Sequence, residues 1–214
     1  MYRWYILRTT DGNALSACEH LSETGLTAFT PTEYRPTMIG EEKVWQQMPS
    51  RPDLLFVYGT YDNIHNIIKN TTIQFVHQSE VSQQPPLTAH RSPLTVNCTS
   101  LTAQYAPITV PDDNMENLIR LVNVGLPQSY SVTDAEIHYR SGGPVRITDG
   151  PFKGVIGRVA RIHTQTRVVV TIPGIISYAT TYIPKHQMEP LNAYFITPRS
   201  LPSIPSLHTI LVKR

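Results

Sequence analysis

Residues 147–157 constrain the fold more than any other part of this chain, and they read ITDGPFKGVIG. Apolar residues alternate up to Asp149, a Gly-Pro turn follows, and an apolar run resumes at Val155. The three glycines are of the kind found where the backbone needs positive φ or where a Cβ would collide, and Pro151 fixes φ on the turn. The pattern predicts a strand, a structured turn and a second strand.

The first 122 residues predict a mixed α and β unit. Aromatic and branched residues over 2–9 and the apolar run over 54–58 are typical of strands. Apolar residues at helical spacing predict helices over 13–24 and 64–68. A third helix is predicted to begin at Pro111, which is favoured in a first helical turn.

The last third of the chain predicts only strands. Short apolar runs separated by turns predict about five strands within about fifty residues, and such strands bury both faces only by curling into a small barrel. Between them, Gly, Pro and Ser residues indicate a linker. The predicted organisation is a first domain over 1–122, a linker over 123–142, a β domain over 143–192 and a tail over 193–214.

Charge is unevenly divided between these parts. Residues 1–122 hold eight Lys and Arg against twelve Asp and Glu, whereas residues 143–192 hold six against two. Because the first part is acidic, the sequence argues against nucleic-acid binding over the whole surface of the protein. It favours a first part that binds mainly another protein. The basic part could bind RNA, a ribosomal protein or an acidic partner, and the charge does not decide between them.

Several sequence patterns that would indicate secretion, membrane insertion or catalysis are not found in this sequence. The N-terminal residues do not read as a signal peptide, and no run approaches the roughly 20 apolar residues of a membrane-spanning helix. The two cysteines, Cys18 and Cys98, have no metal-ligand spacing, so a reducing cytoplasm is expected. No catalytic, cofactor-binding or metal-binding motif is present, and we expect no enzyme, no cofactor and no metal.

Five segments resemble the NusG family of transcription elongation factors. Residues 147–157 resemble its KOW module, 3–8 the first strand of its N-terminal (NGN) domain, and 52–57 the central NGN strand. Residues 110–119 and 179–184 resemble the last NGN helix and the end of the KOW module in specialised UpxY-type paralogues. The resemblance covers about 190 of the 214 residues. It implies an α+β fold: an NGN α/β sandwich with a mainly antiparallel four-stranded sheet, and a five-stranded, SH3-like KOW barrel.

The resemblance also implies binding to RNA polymerase. NGN domains bind the clamp helices of the largest catalytic subunit and disfavour clamp opening. The matching contact residues are Leu54 and Phe56, which strand periodicity places on one face, together with Tyr5 and Arg8. The alternative is that Leu54 and Phe56 are simply core.

Other contacts are implied by likeness to RfaH-type relatives. His65 and Asn66 match a segment that touches the gate loop of the second polymerase subunit, and His20 matches a helix that binds non-template DNA. The alternative for each histidine is an exposed helical residue without a role. In the KOW module the candidate partner-binding residues are Phe152, Ile172 and Pro173, with a ribosomal protein or another factor as partner.

The implied function is processive, operon-specific antitermination, for example at surface-polysaccharide gene clusters. One alternative is a housekeeping NusG that regulates pausing and termination. An alternative of another class is a KOW protein that binds RNA or the ribosome without contacting polymerase.

Overall fold

The computed structural model describes residues 1–78, 106–126 and 129–191. Within these ranges the chain is α+β, with three α-helices and antiparallel sheets, which confirms the predicted fold class. We call residues 1–126 the N-terminal half and residues 129–191 the β-rich half. The predicted tail over 193–214 lies outside the described residues.

The first sheet forms the centre of the N-terminal half. Its strands are β1 (Arg3–Thr9), β2 (Thr27–Phe29), β5 (Leu54–Gly59), β6 (Ile73–Phe75) and β7 (Thr109–Val110). Their order is β2-β5-β1-β6, and β7 pairs with β1 beyond the end of β6. Strands β1 and β5 are antiparallel, with Ile6 opposite Phe56 and Arg8 opposite Leu54. The two central strands are therefore the ones that the aromatic and branched runs predicted.

Helices cover both faces of the first sheet. Helices α1 (Ala14–Glu23) and α2 (Tyr61–Ile68) pack on the face that carries Tyr5 and Leu55, and α3 (Asp112–Asn123) packs on the face that carries Leu54 and Phe56. The side chains of Asn13 and Thr60 accept hydrogen bonds from the backbone amides of Ser16 and Asn63, which caps α1 and α2. Helix α3 begins after Pro111, with Asp112 and Asp113 in the first turn beside the positive end of its dipole.

The β-rich half is one antiparallel sheet. Its strands are β8 (Tyr130–Val132), β9 (His138–Ile147), β10 (Ile156–Ile162), β11 (Gln165–Ile172), β12 (Ile176–Ala179) and β13 (Met188–Pro190). Their order is β13-β9-β10-β11-β12-β8, so six strands stand where the sequence predicted five. The extra strand β8 and the start of β9 come from residues 123–142, the predicted linker. The physical reason is that Val132 and Ile137 bury their side chains against Val169 and Ala179, which offsets a composition rich in Ser and Gly.

A separate hairpin leaves the N-terminal half. It consists of β3 (Thr32–Ile39) and β4 (Glu42–Pro49), joined at Gly40, whose φ is +66°. Its tip is exposed, including the side chains of Met38, Ile39 and Trp45. At its base Glu33 is buried, which gives the hairpin a fixed root.

One apolar core is shared by the two halves. A single cluster of buried side chains includes Phe56 of β5, Leu118 of α3, and Val170 and Tyr178 of the β-rich half. Helix α3 contacts both β1 and β11. Burial of a large aliphatic or aromatic side chain contributes about 1.5–3 kcal/mol. The two halves therefore stabilise each other through a continuous core.

Cys18 of α1 offers a simple test of the packing in the N-terminal half. Burial, helped by the neighbouring Glu19 carboxylate, raises the pKa of the Cys18 thiol to about 11, against a smaller lowering effect of the Thr30 backbone. We expect the variant Cys98→Ser to react slowly with a thiol reagent at pH 8 when folded, and rapidly in concentrated urea, because only the thiolate reacts. The unfolded thiol ionises at lower pH than the folded one, so stability should fall from about pH 9 to about pH 11. Fast labelling of the folded variant would contradict this packing.

Candidate functional site

Arg8, Leu54 and Phe56 lie on one face of the first sheet. Arg8 stands opposite Leu54, and its Nε lies 3.0 Å from Oδ2 of Asp53, which also pairs with Arg51. Leu54 and Phe56 are only 1% and 0% exposed, because α3 and the β-rich half complete the core over them. The structure thus brings these three residues together, with Arg8 at the surface and the two apolar side chains beneath it.

Tyr5 and His65 belong to the opposite side of the sheet. Tyr5 is buried, and its ring packs edge-on against Phe75 at 5.6 Å between centroids. Tyr61 lies between two rings: its centroid is 5.0 Å from that of Phe75 and 5.6 Å from that of His65, with nearly parallel planes. His65 and Asn66 are exposed on α2. The predicted polymerase-binding residues therefore form two groups, one on each side of the sheet.

Tyr61 is a residue of this second group that the sequence reasoning missed. It begins α2, its side chain is 43% exposed, and its stacking holds the imidazole of His65 in place. The spacing of four residues between Tyr61 and His65 on a helix was the available signal, since such pairs are neighbours on the helix surface.

His20 lies on a shallow polar depression of about 160 Å³. The other lining residues are Asp11, Asn13, Ser16, Ala17, Thr71, Thr72 and Ile73. The Asp11 carboxylate accepts hydrogen bonds from the Thr72 hydroxyl (3.3 Å) and from the backbone amide of Asn13 (3.2 Å). With a carboxylate and no Lys or Arg in its lining, this depression is suited to hydrogen bonding with a base edge rather than to holding a phosphate.

The three candidate residues of the β-rich half differ in exposure. Phe152 is fully buried in the shared core, Ile172 is buried beside it, and Pro173 is exposed. Gly174 follows Pro173 with φ of +72°, and the amide of Ile175 donates to the Ile172 carbonyl to close the turn. Pro173 is therefore the only one of these three that a partner could reach in this arrangement.

The base of the hairpin is tied to the β-rich half by a buried carboxylate. Glu33 accepts hydrogen bonds from both the backbone amide and the hydroxyl of Ser131, each at 2.8 Å, and from Nε of Arg35 at 2.7 Å. A buried carboxylate needs such partners, because an unpaired one would cost several kcal/mol. The contact thus fixes the middle of β8 against β3.

Tyr178 and Asn117 make further hydrogen bonds between the halves. The Tyr178 hydroxyl donates to the carbonyl oxygen of Thr32 at 2.6 Å, and burial, followed by the charge of Glu33, raises the pKa of this phenol above its ordinary value. On the other side of the core, Oδ1 of Asn117 accepts from the amide of Ile156 at 2.8 Å. The shared core is therefore bordered by specific hydrogen bonds.

The turn at 150–154 also meets the N-terminal half. A Cβ placed on Gly154 would collide with the guanidinium of Arg120 on α3, and Gly154 has φ of +88°. The positive φ favours glycine there, whereas the Arg120 side chain could turn aside from a Cβ. The GPFKG turn that the sequence singled out is thus packed on α3 in this structure.

The described residues contain neither a helix long and apolar enough to span a membrane nor a group of three potential metal ligands close enough to bind an ion. Residues 2–92 match the model of the family described as NusG, transcription termination factor nusG. No curated protein matches the chain. The family match covers the first sheet up to β6, together with α1, α2 and the hairpin. It supports the interpretation of this chain as a NusG-like transcription factor.

Proposed function

We propose that this protein is a transcription elongation factor that binds RNA polymerase through its N-terminal half and promotes processive, operon-specific antitermination. The observation that carries the proposal is the NusG family match over residues 2–92. The likeness of residues 110–119 and 179–184 to UpxY-type paralogues favours specific operons, such as those for surface polysaccharides. Such a factor acts by binding, without bond-making chemistry, and works in the cytoplasm with the polymerase.

The contact proposed for the clamp helices uses Leu54 and Phe56, with Arg8 at its edge. Since both apolar side chains are buried, binding through them requires the cover over this face to move. The free energy of polymerase binding must then offset the core contacts that are lost. The apparent affinity equals the affinity of the open form multiplied by the fraction of molecules that are open. A factor that prefers the closed clamp shifts the polymerase towards that state by its differential affinity.

The contact proposed for the gate loop uses His65 and Asn66, which are exposed without any rearrangement. Their position beside Tyr61 gives the imidazole a defined orientation, so little side-chain entropy is lost on binding. The depression around His20 runs along one side of α1 and is the proposed contact for non-template DNA.

We expect the double variant His65→Ala/Asn66→Ala to bind core RNA polymerase about tenfold more weakly than the unchanged chain, as for loss of a small contact patch. The full chain is used, and binding is measured by fluorescence with labelled protein. The control is His186→Ala, which removes an exposed imidazole from the β-rich half. Binding unaffected by the double variant would remove these two residues from the site, and absence of any polymerase binding would refute the proposed function.

A transcription assay separates the specific from the housekeeping role. On long templates, an operon-specific factor increases read-through only when its recruiting DNA element is present, whereas a housekeeping factor changes pausing on every template. Equal changes in read-through on all templates would favour the hypothesis of a housekeeping NusG.

A further inference from the structure

A group of exposed cationic side chains lies on the β-rich half. Residues 138–190 hold seven Lys and Arg against two Asp and Glu. Four of the arginines are exposed and form no ion pair with any described residue: Arg140, Arg146, Arg158 and Arg161. Their charge is therefore available to an anionic partner.

Two of these arginines lie on one face of the sheet beside an aromatic ring. On β9 and β10, Arg158 stands opposite Pro144 and Arg146 stands opposite Ile156, so Arg146 and Arg158 are diagonal neighbours on the same face. The guanidinium carbon of Arg158 lies 4.5 Å from the ring centroid of Tyr139. A cation and an aromatic ring are thus already stacked at the surface.

The ring of Tyr139 is held in position by its hydroxyl. From β9 it reaches across β10 and hydrogen-bonds the Thr171 hydroxyl on β11 at 3.0 Å, and Thr171 in turn bonds the hydroxyl of Ser177 at 3.0 Å. The ring remains 39% exposed despite this attachment. A fixed, exposed aromatic side chain offers a stacking surface with little entropy to lose on binding.

The rest of this face is covered by the chain itself. Val132 and Ile137 pack on Ala160 and Val169, in the apolar cluster that residues 130–137 close. The end that carries Tyr139, Arg146 and Arg158 is left open. The exposed part is therefore a small platform with two cations and one aromatic ring, and Glu189 of β13 lies opposite Arg146 at its edge.

We propose that this platform, formed by Tyr139, Arg146 and Arg158, binds single-stranded RNA. The arginines match the phosphate backbone, and the Tyr139–Arg158 pair offers a surface on which an unpaired base can stack. A duplex does not present its base faces in this way, so a single strand fits better. The choice of RNA over DNA rests on the proposed function, because RNA is the product of the polymerase to which the protein would be bound.

The test is binding of the full chain to a fluorescein-labelled, unstructured 12-nucleotide RNA, followed by anisotropy at several salt concentrations without polymerase. We expect Arg146→Ala/Arg158→Ala to weaken binding at least about tenfold and to reduce the slope of log K against log salt by about 1.4, at about 0.7 per phosphate contact. Tyr139→Ala should weaken binding about tenfold, whereas Tyr139→Phe, which keeps the ring but loses the hydrogen bond to Thr171, should weaken it only about two- to threefold.

The matched control is Arg3→Ala/Lys69→Ala, which removes two exposed cations from the N-terminal half and should leave the affinity within about twofold. An equal loss in control and test variants, or no loss in the test variant, would overturn the proposal. The proposal would also be overturned if an oligoglutamate peptide competed with the RNA as well as unlabelled RNA does and Tyr139→Ala bound the RNA as tightly as the unchanged chain. That result would favour an acidic protein as the partner. Tighter binding of single-stranded DNA would overturn the choice of RNA. Since no polymerase is present, these results are independent of the His65 and Asn66 experiment.

Discussion

Replacing Gly157 by alanine is expected to unfold the β-rich half or to leave it severely destabilised. A Cβ at this position would lie 2.6 Å from the carbonyl oxygen of Val169 and 2.8 Å from Cγ1 of Val168. Both atoms belong to β11, and Val169 is held in register opposite Arg158. Because a backbone atom cannot rotate away, we expect a loss of about 3 kcal/mol or more, at the upper end for an overpacked core.

Urea unfolding followed by circular dichroism measures this loss. The matched control is Gly143→Ala, the same chemical change in the same sheet, where the nearest atom to a Cβ is the Leu191 carbonyl oxygen at 3.4 Å. That variant should change the unfolding free energy by less than about 1 kcal/mol. Equal unfolding midpoints for the two variants would show that β10 and β11 do not approach as closely as described.

The second large effect concerns polymerase binding. We expect Asn117→Ala/Tyr178→Phe to bind core polymerase several-fold more tightly than the unchanged chain, because it removes hydrogen bonds to Ile156 and Thr32 that join the halves. Each bond contributes about 0.5–1.5 kcal/mol, so opening becomes more frequent and the cost of exposing Leu54 and Phe56 falls. Hydrogen exchange at the Ser131 amide, which donates to Glu33 across the halves and keeps this partner in the variant, reports the opening directly.

The matched control is Asn123→Ala/Tyr182→Phe, which makes the same two chemical changes at exposed positions. It should alter neither exchange nor binding. If the Ser131 amide exchanges faster in the test variant while polymerase binding stays the same, the Leu54 and Phe56 contact is wrong and binding relies on residues already exposed. A direct substitution such as Leu54→Asp would not test the contact, because a charge at this buried position would itself unfold the chain.

The elements predicted best from the sequence are those whose buried side chains form a pattern within a few consecutive residues. The continuous apolar runs of β1 and β5 predict buried strands, and the two-residue period of a strand places Leu54 and Phe56 on one face, where the structure has them. Helices α1 and α3 follow from apolar spacing together with Gly25, which has φ of +85°, and Pro111 at their boundaries. In each case a local pattern carries the information.

Residues 123–142 show the opposite case. Their Ser and Gly content favours a linker, yet Val132 and Ile137 are buried by partners more than twenty residues further along the chain. Likewise, nothing near Leu54 indicates that the β-rich half would help to bury it. Tertiary contacts decide both outcomes, and a single sequence does not encode them in its local spacing.

The shared core also has a consequence for protein synthesis. Phe56 leaves the ribosome roughly 120 residues before Tyr178, which belongs to the same cluster. At about 5–20 residues per second, the nascent first sheet waits roughly 6 to 25 s for that part of its cover. During this interval Leu54 and Phe56 are more accessible than in the finished protein. The growing chain therefore has a period in which this face can meet either a partner or a second nascent chain, and the order of synthesis itself favours early capture.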